Sequence, residues 1–125
     1  GSIINVSSIA ARRTHPELLA YSVSSAAVDQ LTRSMAVALA QYRIRVNAIA
    51  LGSVMSASLK GAISEHEEYR EEIVDSTPLA RIASPSELAD VAQFLASDGS
   101  AFMTGQILTV DGGRTLVDAA VAPAH

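Results

Sequence analysis

Between Ile3 and Leu39 the chain passes from a short apolar, β-branched run, Ile3-Ile4-Asn5-Val6, through paired serines at Ser7 and Ser8, into a long segment with helical spacing. A strand this short and this apolar reads as one buried on both faces of a parallel sheet, with the helix as its crossover. Pro16 suits the opening of that helix, because the N–H it lacks is not needed in a first turn. From about Leu18 to Tyr42 apolar residues recur at Ala27, Val28, Leu31, Met35, Ala38, Leu39 and Tyr42, the three-and-four spacing of an amphipathic helix, with Asp29, Gln30 and Arg33 on the other side. The serines at its start, Ser22, Ser24 and Ser25, are poor helix formers, so propensity alone does not place them there.

The remaining pattern repeats the alternation. Ile44 to Ala50 reads as a second strand and Gln106 to Val110 as a third, closed by the turn Asp111-Gly112-Gly113. Ser84-Pro85-Ser86-Glu87 is the clearest helix start: a cap, a first-turn proline and a glutamate three past the cap, followed by an apolar face at Leu88, Val91, Ala92 and Leu95. Ser64 with Glu67 makes a second capping box before the charged run Glu65 to Glu72, which reads as a solvated helix face. The segment Thr115 to His125 is expected to fray. Three strands separated by helices imply an α/β fold with right-handed crossovers.

Composition narrows the function classes. The chain has 125 residues, 49% of them hydrophobic but only 4% aromatic, so one domain with a core of Ala, Val, Leu and Ile is expected. The formal charge is −4, and Arg12-Arg13 is the only adjacent basic pair, which argues against nucleic-acid binding. No apolar run approaches a membrane span, and no signal peptide is visible, so the expectation is a soluble, cytoplasmic protein. There is no cysteine, and His15, His66 and His125 have no second ligand at metal-binding spacing; they read as surface histidines and no metal is expected.

One pair of residues carries chemistry. Ser8 closes a strand, where side chains project into the crevice that open α/β sheets use for ligands, and Tyr21 stands near the start of the following helix. A serine hydroxyl can hold a substrate oxygen while a phenol exchanges its proton. Taken singly, Ser8 reads as a loop or capping serine and Tyr21 as a half-buried packing residue. The spacing adds the rest. Asn5-Val6-Ser7-Ser8, Tyr21-Ser22-Val23-Ser24, Arg45-Val46-Asn47-Ala48-Ile49, Thr104-Gly105-Gln106 and Val110-Asp111-Gly112-Gly113 follow one another over nearly the whole chain. In that order they resemble the C-terminal half of a short-chain dehydrogenase/reductase of the 3-oxoacyl-reductase kind.

The resemblance implies the C-terminal half of a Rossmann-like, doubly wound parallel sheet over residues 1–114, with 115–125 as a tail. It implies NAD or NADP as cofactor and a small-molecule alcohol or carbonyl substrate, with Ser8 orienting the substrate oxygen and Tyr21 as acid/base. It also implies cofactor contacts from Tyr21, Gly52, Val54 and Ser56, a mobile lid from the variable stretch between Met55 and Pro78, and a homo-oligomer or a complementing chain. Two departures bear on this. The family's tyrosine is followed one helical turn later by a lysine that lowers the phenol's pKa and holds the nicotinamide ribose; that position here is Ser25, which brings no charge. Nor is there a glycine-rich turn before a helix to receive a dinucleotide pyrophosphate, so the chain reads as one part of a longer protein. A third difference is Leu51 before Gly52, where the family usually has proline. Three readings stand: an NAD(P)-dependent oxidoreductase that is inactive or weak as this chain alone, a non-catalytic dehydrogenase-like subunit, and a truncated fragment.

Overall fold

The computed structural model describes residues 1–120 and 123. Its centre is a parallel sheet of β1 (Ser2–Ser8), β2 (Arg45–Leu51) and β3 (Ile107–Val110), in that spatial order. Ser8 lies opposite Leu51, and Leu51 opposite Val110. All three strands therefore end on one row, and the segments after them leave the sheet side by side.

Helix α1 (Leu19–Leu39) carries the chain from β1 to β2, and α2 (Ala57–Glu65), α3 (Glu68–Asp75) and α4 (Pro85–Ala96) carry it from β2 to β3. Because strand residues alternate between faces, β1 binds a different helix on each side. Asn5 donates to the Thr32 hydroxyl and Ser7 to the Ser25 carbonyl, both on α1, whereas Ser2 donates to the Leu95 carbonyl on α4. The core sits on the middle strand, where Val46, Asn47, Ala48, Ile49 and Ala50 are buried, with Ala36 of α1 and Leu95 of α4 closing over it.

Two polar side chains on β2 hold the far end of the sheet. Arg45 donates to the carbonyls of Leu95, Ser97, Ser100 and Met103 and to the Ser100 hydroxyl. A guanidinium thus collects carbonyls just past the C-terminus of α4, where a cation is electrostatically favoured. Asn47 donates to the Met103 carbonyl and accepts from the Gln106 N–H, so it sets the chain's entry into β3.

Several expectations need correction. β1 is not buried on both faces: it lies at an edge of the sheet, and Val6 is 60% exposed. Pro16 does not open α1. The His15 ring accepts from the Glu17 N–H and the His15 carbonyl from Leu18, and this turn delays the helix to Leu19. The buried stripe of α1 is Ser25, Asp29, Thr32 and Ala36, while Ala27, Leu31, Ala38 and Tyr42 face outward. Hydrogen bonds to the strand decide that orientation, and a count of apolar residues misses it. Asp29, expected on the solvated side, is buried, with one carboxylate oxygen lacking a hydrogen bond among the described residues. The Ser64/Glu67 capping box does not form; Ser64 lies within α2, which Ser56 caps by accepting from the Leu59 N–H.

The box at Ser84 does form, its N–H donating to Glu87. At the close of β3, Gly112 and Gly113 take positive φ of 64° and 93°, and a Cβ on Gly112 would stand 2.7 Å from the Thr77 methyl. Only glycine suits that approach. Of the expected tail, Thr115 is buried in a short 3-10 turn, Arg114–Leu116, and Val121, Ala122, Ala124 and His125 lie outside the described residues. Among the described residues no helix is long and apolar enough to cross a membrane.

Candidate active site

The strand ends define the site. A cleft of about 300 Å³ is lined by Ser8 and the turn after it, by Tyr21 on the first turn of α1, and by Leu51, Gly52 and Ser53 beyond β2. Ser8 is buried, and its hydroxyl oxygen accepts from the Ala10 N–H at 3.1 Å, capping the 3-10 turn Ile9–Ala11. With that lone pair engaged, the hydroxyl proton remains to be donated elsewhere. Tyr21 is 54% exposed, so its ring enters the cleft from an open side.

Gly52 is fixed by sterics. A Cβ there would meet the Asp111 Cα and Cβ at 2.8 Å, and its N–H donates to the Val110 carbonyl. The loop that follows is tied by Ala83 donating to Ser53 and Met55 donating to Ala83, a parallel bridge at Val54. Leu51 completes β2, so the loop keeps a defined path without proline.

Asp111 packs against Gly52 and lines a neighbouring cleft. Its two carboxylate oxygens accept from the N–H groups of Gly113 and Thr115. Desolvation pushes its pKa upward, but the bonds from Thr115 and Gly113 and the charge of Arg12 outweigh this, so the carboxyl titrates below its ordinary value. That neighbouring cleft holds Arg81, which makes a bidentate pair with Glu87 at 2.8 and 2.5 Å. That pair and the Ser84 N–H lower the Glu87 pKa to about 2.

With this geometry in view, a family model described as enoyl-(acyl carrier protein) reductase matches residues 1–115. The chain belongs to the short-chain dehydrogenase/reductase family. It is 37% identical over 113 residues to the 7alpha-hydroxysteroid dehydrogenase of Escherichia coli strain K12, covering 90% of this chain and 44% of that protein. It is 38% identical over 113 residues to the 3-oxoacyl-[acyl-carrier-protein] reductase of Chlamydia trachomatis, with 90% and 44% covered. Among solved structures, a gluconate 5-dehydrogenase from Burkholderia cenocepacia in complex with NADP and tartrate superposes with a TM-score of 0.88 at 34% identity, over 94% of this chain and 46% of that one. The chain thus spans less than half the length of these relatives.

Against the short-chain dehydrogenase/reductase pattern, the structure brings Ser8, Tyr21 and Gly52 to one cleft. Val54 and Ser56 lie further along the same loop and do not line it; Val54 bridges to Ala83, and Ser56 is exposed at the cap of α2. Ser25, at the family's lysine position, is buried, its carbonyl accepting from Ser7. Residues that the sequence reading passed over also line the cleft. Arg13 donates to the Thr115 carbonyl, Arg114 donates to the Ser53 hydroxyl at 3.2 Å, and His15 stands on the turn between Arg13 and α1. Arg13 was visible only as half of a basic pair, and Arg114 had no signal beyond following two glycines.

Proposed function

We propose that this cleft is the reacting end of an NAD(P)-dependent alcohol/carbonyl oxidoreductase, with Ser8 donating to the substrate oxygen and Tyr21 exchanging its proton. The observation that carries the reading is the Ser8 hydroxyl: its oxygen is already occupied by the Ala10 N–H, and the cleft in front of it contains Tyr21. A donor committed in advance needs no reorganisation when charge develops on a substrate oxygen.

The residues also fit the nicotinamide end of a coenzyme. Among the described residues the Val54 N–H makes no hydrogen bond, and the Ser56 hydroxyl, which accepts from Leu59, keeps its proton for donation. Gly52, Val54 and Ser56 would hold that end beside Tyr21, and the bound coenzyme would supply or take up the hydride. What the chain itself does is position the substrate oxygen, move a proton at the Tyr21 hydroxyl and line the cleft. Ser25 leaves Tyr21 without the cation that one helical turn could have brought, so turnover by this chain alone is absent or very weak. Titrating NADH and NADPH against the isolated chain, with cofactor fluorescence as the signal, tests this. Weak or absent binding and no hydride transfer support the inactivity of this chain alone; tight binding with turnover contradicts that inactivity.

A second reading is favoured by one surface. Leu19, Val23, Leu31 and Val37 of α1 are all more than half exposed. Such a stripe fits a face covered by a second copy or a complementing chain, as in a dehydrogenase-like subunit that contributes mainly an interface. Sedimentation of the chain, alone and with Leu31→Glu, distinguishes a monomer from an assembly through α1.

A further inference from the structure

We infer that the substrate of this cleft carries a carboxylate, held by Arg13 and Arg114. The inference deepens the oxidoreductase reading and rests on it for the position of the reacting carbon.

The chain as a whole has a formal charge of −4, yet the cleft that holds Ser8 and Tyr21 is lined by two arginines and a histidine and by no Asp or Glu. Against that overall balance, a cleft lined by one sign of charge concentrates ligands of the other. The nearest carboxylate on the 111–116 turn, Asp111, has both oxygens taken by Gly113 and Thr115 and lines the neighbouring cleft instead.

The two arginines are far apart in sequence and are brought together by that turn. Asp111 fixes the Thr115 N–H, the Thr115 carbonyl receives Arg13, and Arg114 between them reaches Ser53. Each guanidinium has five N–H donors, so one anchoring bond leaves a fork of the kind that binds a carboxylate bidentately. The anchoring removes much of the freedom that binding would otherwise have to freeze. His15 adds a donor. Its Nδ1 accepts from the Glu17 N–H, so in the neutral ring the proton sits on Nε2. A small hydroxy or oxo acid, its reacting oxygen at Ser8 and Tyr21 and its carboxylate on the arginines, matches this arrangement.

The test compares L-tartrate with L-threitol, which has the same carbon skeleton without the carboxylates, using NMR titration of the isotopically labelled chain. Tartrate is expected to bind at least about tenfold more tightly, to weaken with added salt, and to move the signals of Arg13, Arg114 and Tyr21. Arg114→Gln should remove the preference, and Arg114→Lys should keep part of it. Arg13→Gln is the second variant; Arg114→Gln leaves the Thr115 contact intact and guards against a folding defect in Arg13→Gln. Equal affinity for the two probes, no saturable tartrate binding, or inorganic phosphate binding as tightly as tartrate would each overturn the inference. Tyr21→Phe should weaken tartrate and threitol alike and so keep the preference between them, because that preference rests on the carboxylates. Carboxylate binding without any redox chemistry, even once the chain is joined to a cofactor-binding half from its family, therefore counts against the oxidoreductase reading alone, and reduction of neutral ketones by that polypeptide without a carboxylate preference counts against this inference alone.

Discussion

The Ser7 hydroxyl donates to the backbone carbonyl of Ser25 across 3.2 Å, with both residues buried. This bond joins the residue before Ser8 to the helical turn after Tyr21, and so ties together the elements that carry the two groups proposed for the chemistry. Ser7→Ala should cost about 1 kcal/mol of stability, the usual net value of one hydrogen bond. Urea denaturation measures that loss. A catalytic loss larger than the stability loss in a form that turns over would show that the bond positions as well as stabilises.

Gly52 offers a sharper steric prediction. A Cβ placed 2.8 Å from the Asp111 backbone and side chain has no flexible neighbour to push aside. Gly52→Ala should destabilise by about 1–3 kcal/mol, as overpacking does, and should shift the amide signals of Ser53 and Gly113 on both sides of the contact. Unchanged stability would mean that β2 and β3 separate easily at this end.

Arg45 gathers four carbonyls and the Ser100 hydroxyl. Removing it strands acceptors that are partly buried. Arg45→Ala should cost about 3 kcal/mol, and Arg45→Lys should recover only a fraction, because one ammonium cannot span acceptors that a planar fork reaches together. Thermal unfolding of the two variants checks the order.

Glu87 gives a pH prediction. Its pKa in the folded chain is lowered to about 2 from 4.5 by the Arg81 pair and the Ser84 N–H. A depressed carboxylate pKa contributes stability that is fully present above the unfolded value and is lost as pH falls through the folded one. The stability gap between the native chain and Glu87→Gln should hold from neutral pH down to about 4.5 and shrink between there and about 2. Denaturation curves at stepped pH follow it; a gap that widens on acidification would reverse the assignment.

The three strands, their helical connections and part of the cleft were legible wherever backbone grammar is strong. The β-branched run at Ile3, the cap and proline at Ser84 and the glycines at Gly112 each leave the chain few options, and each marks an element boundary in the structure. The exposed and buried faces of α1 were not legible. Ser25 and Thr32 turn inward where Ser7 and Asn5 on β1 donate to the Ser25 carbonyl and the Thr32 hydroxyl, a pairing between segments that local spacing does not encode. The same reason hid Arg13 and Arg114, whose place at the cleft depends on Thr115 and Ser53, and on no motif of their own.

The pH dependence of alcohol oxidation tests the central claim most directly, in a polypeptide where this chain is joined to a cofactor-binding half from its family. Tyr21 is proposed as the proton-transferring group, and Ser25 brings no cation that would ease its ionisation. Ser25→Lys should then raise turnover at least about tenfold and move the rising limb of the profile to lower pH, because a neighbouring ammonium favours the phenolate. Tyr21→Phe should abolish turnover in either background. A limb that stays in place with Ser25→Lys, or turnover that survives Tyr21→Phe, would contradict the account.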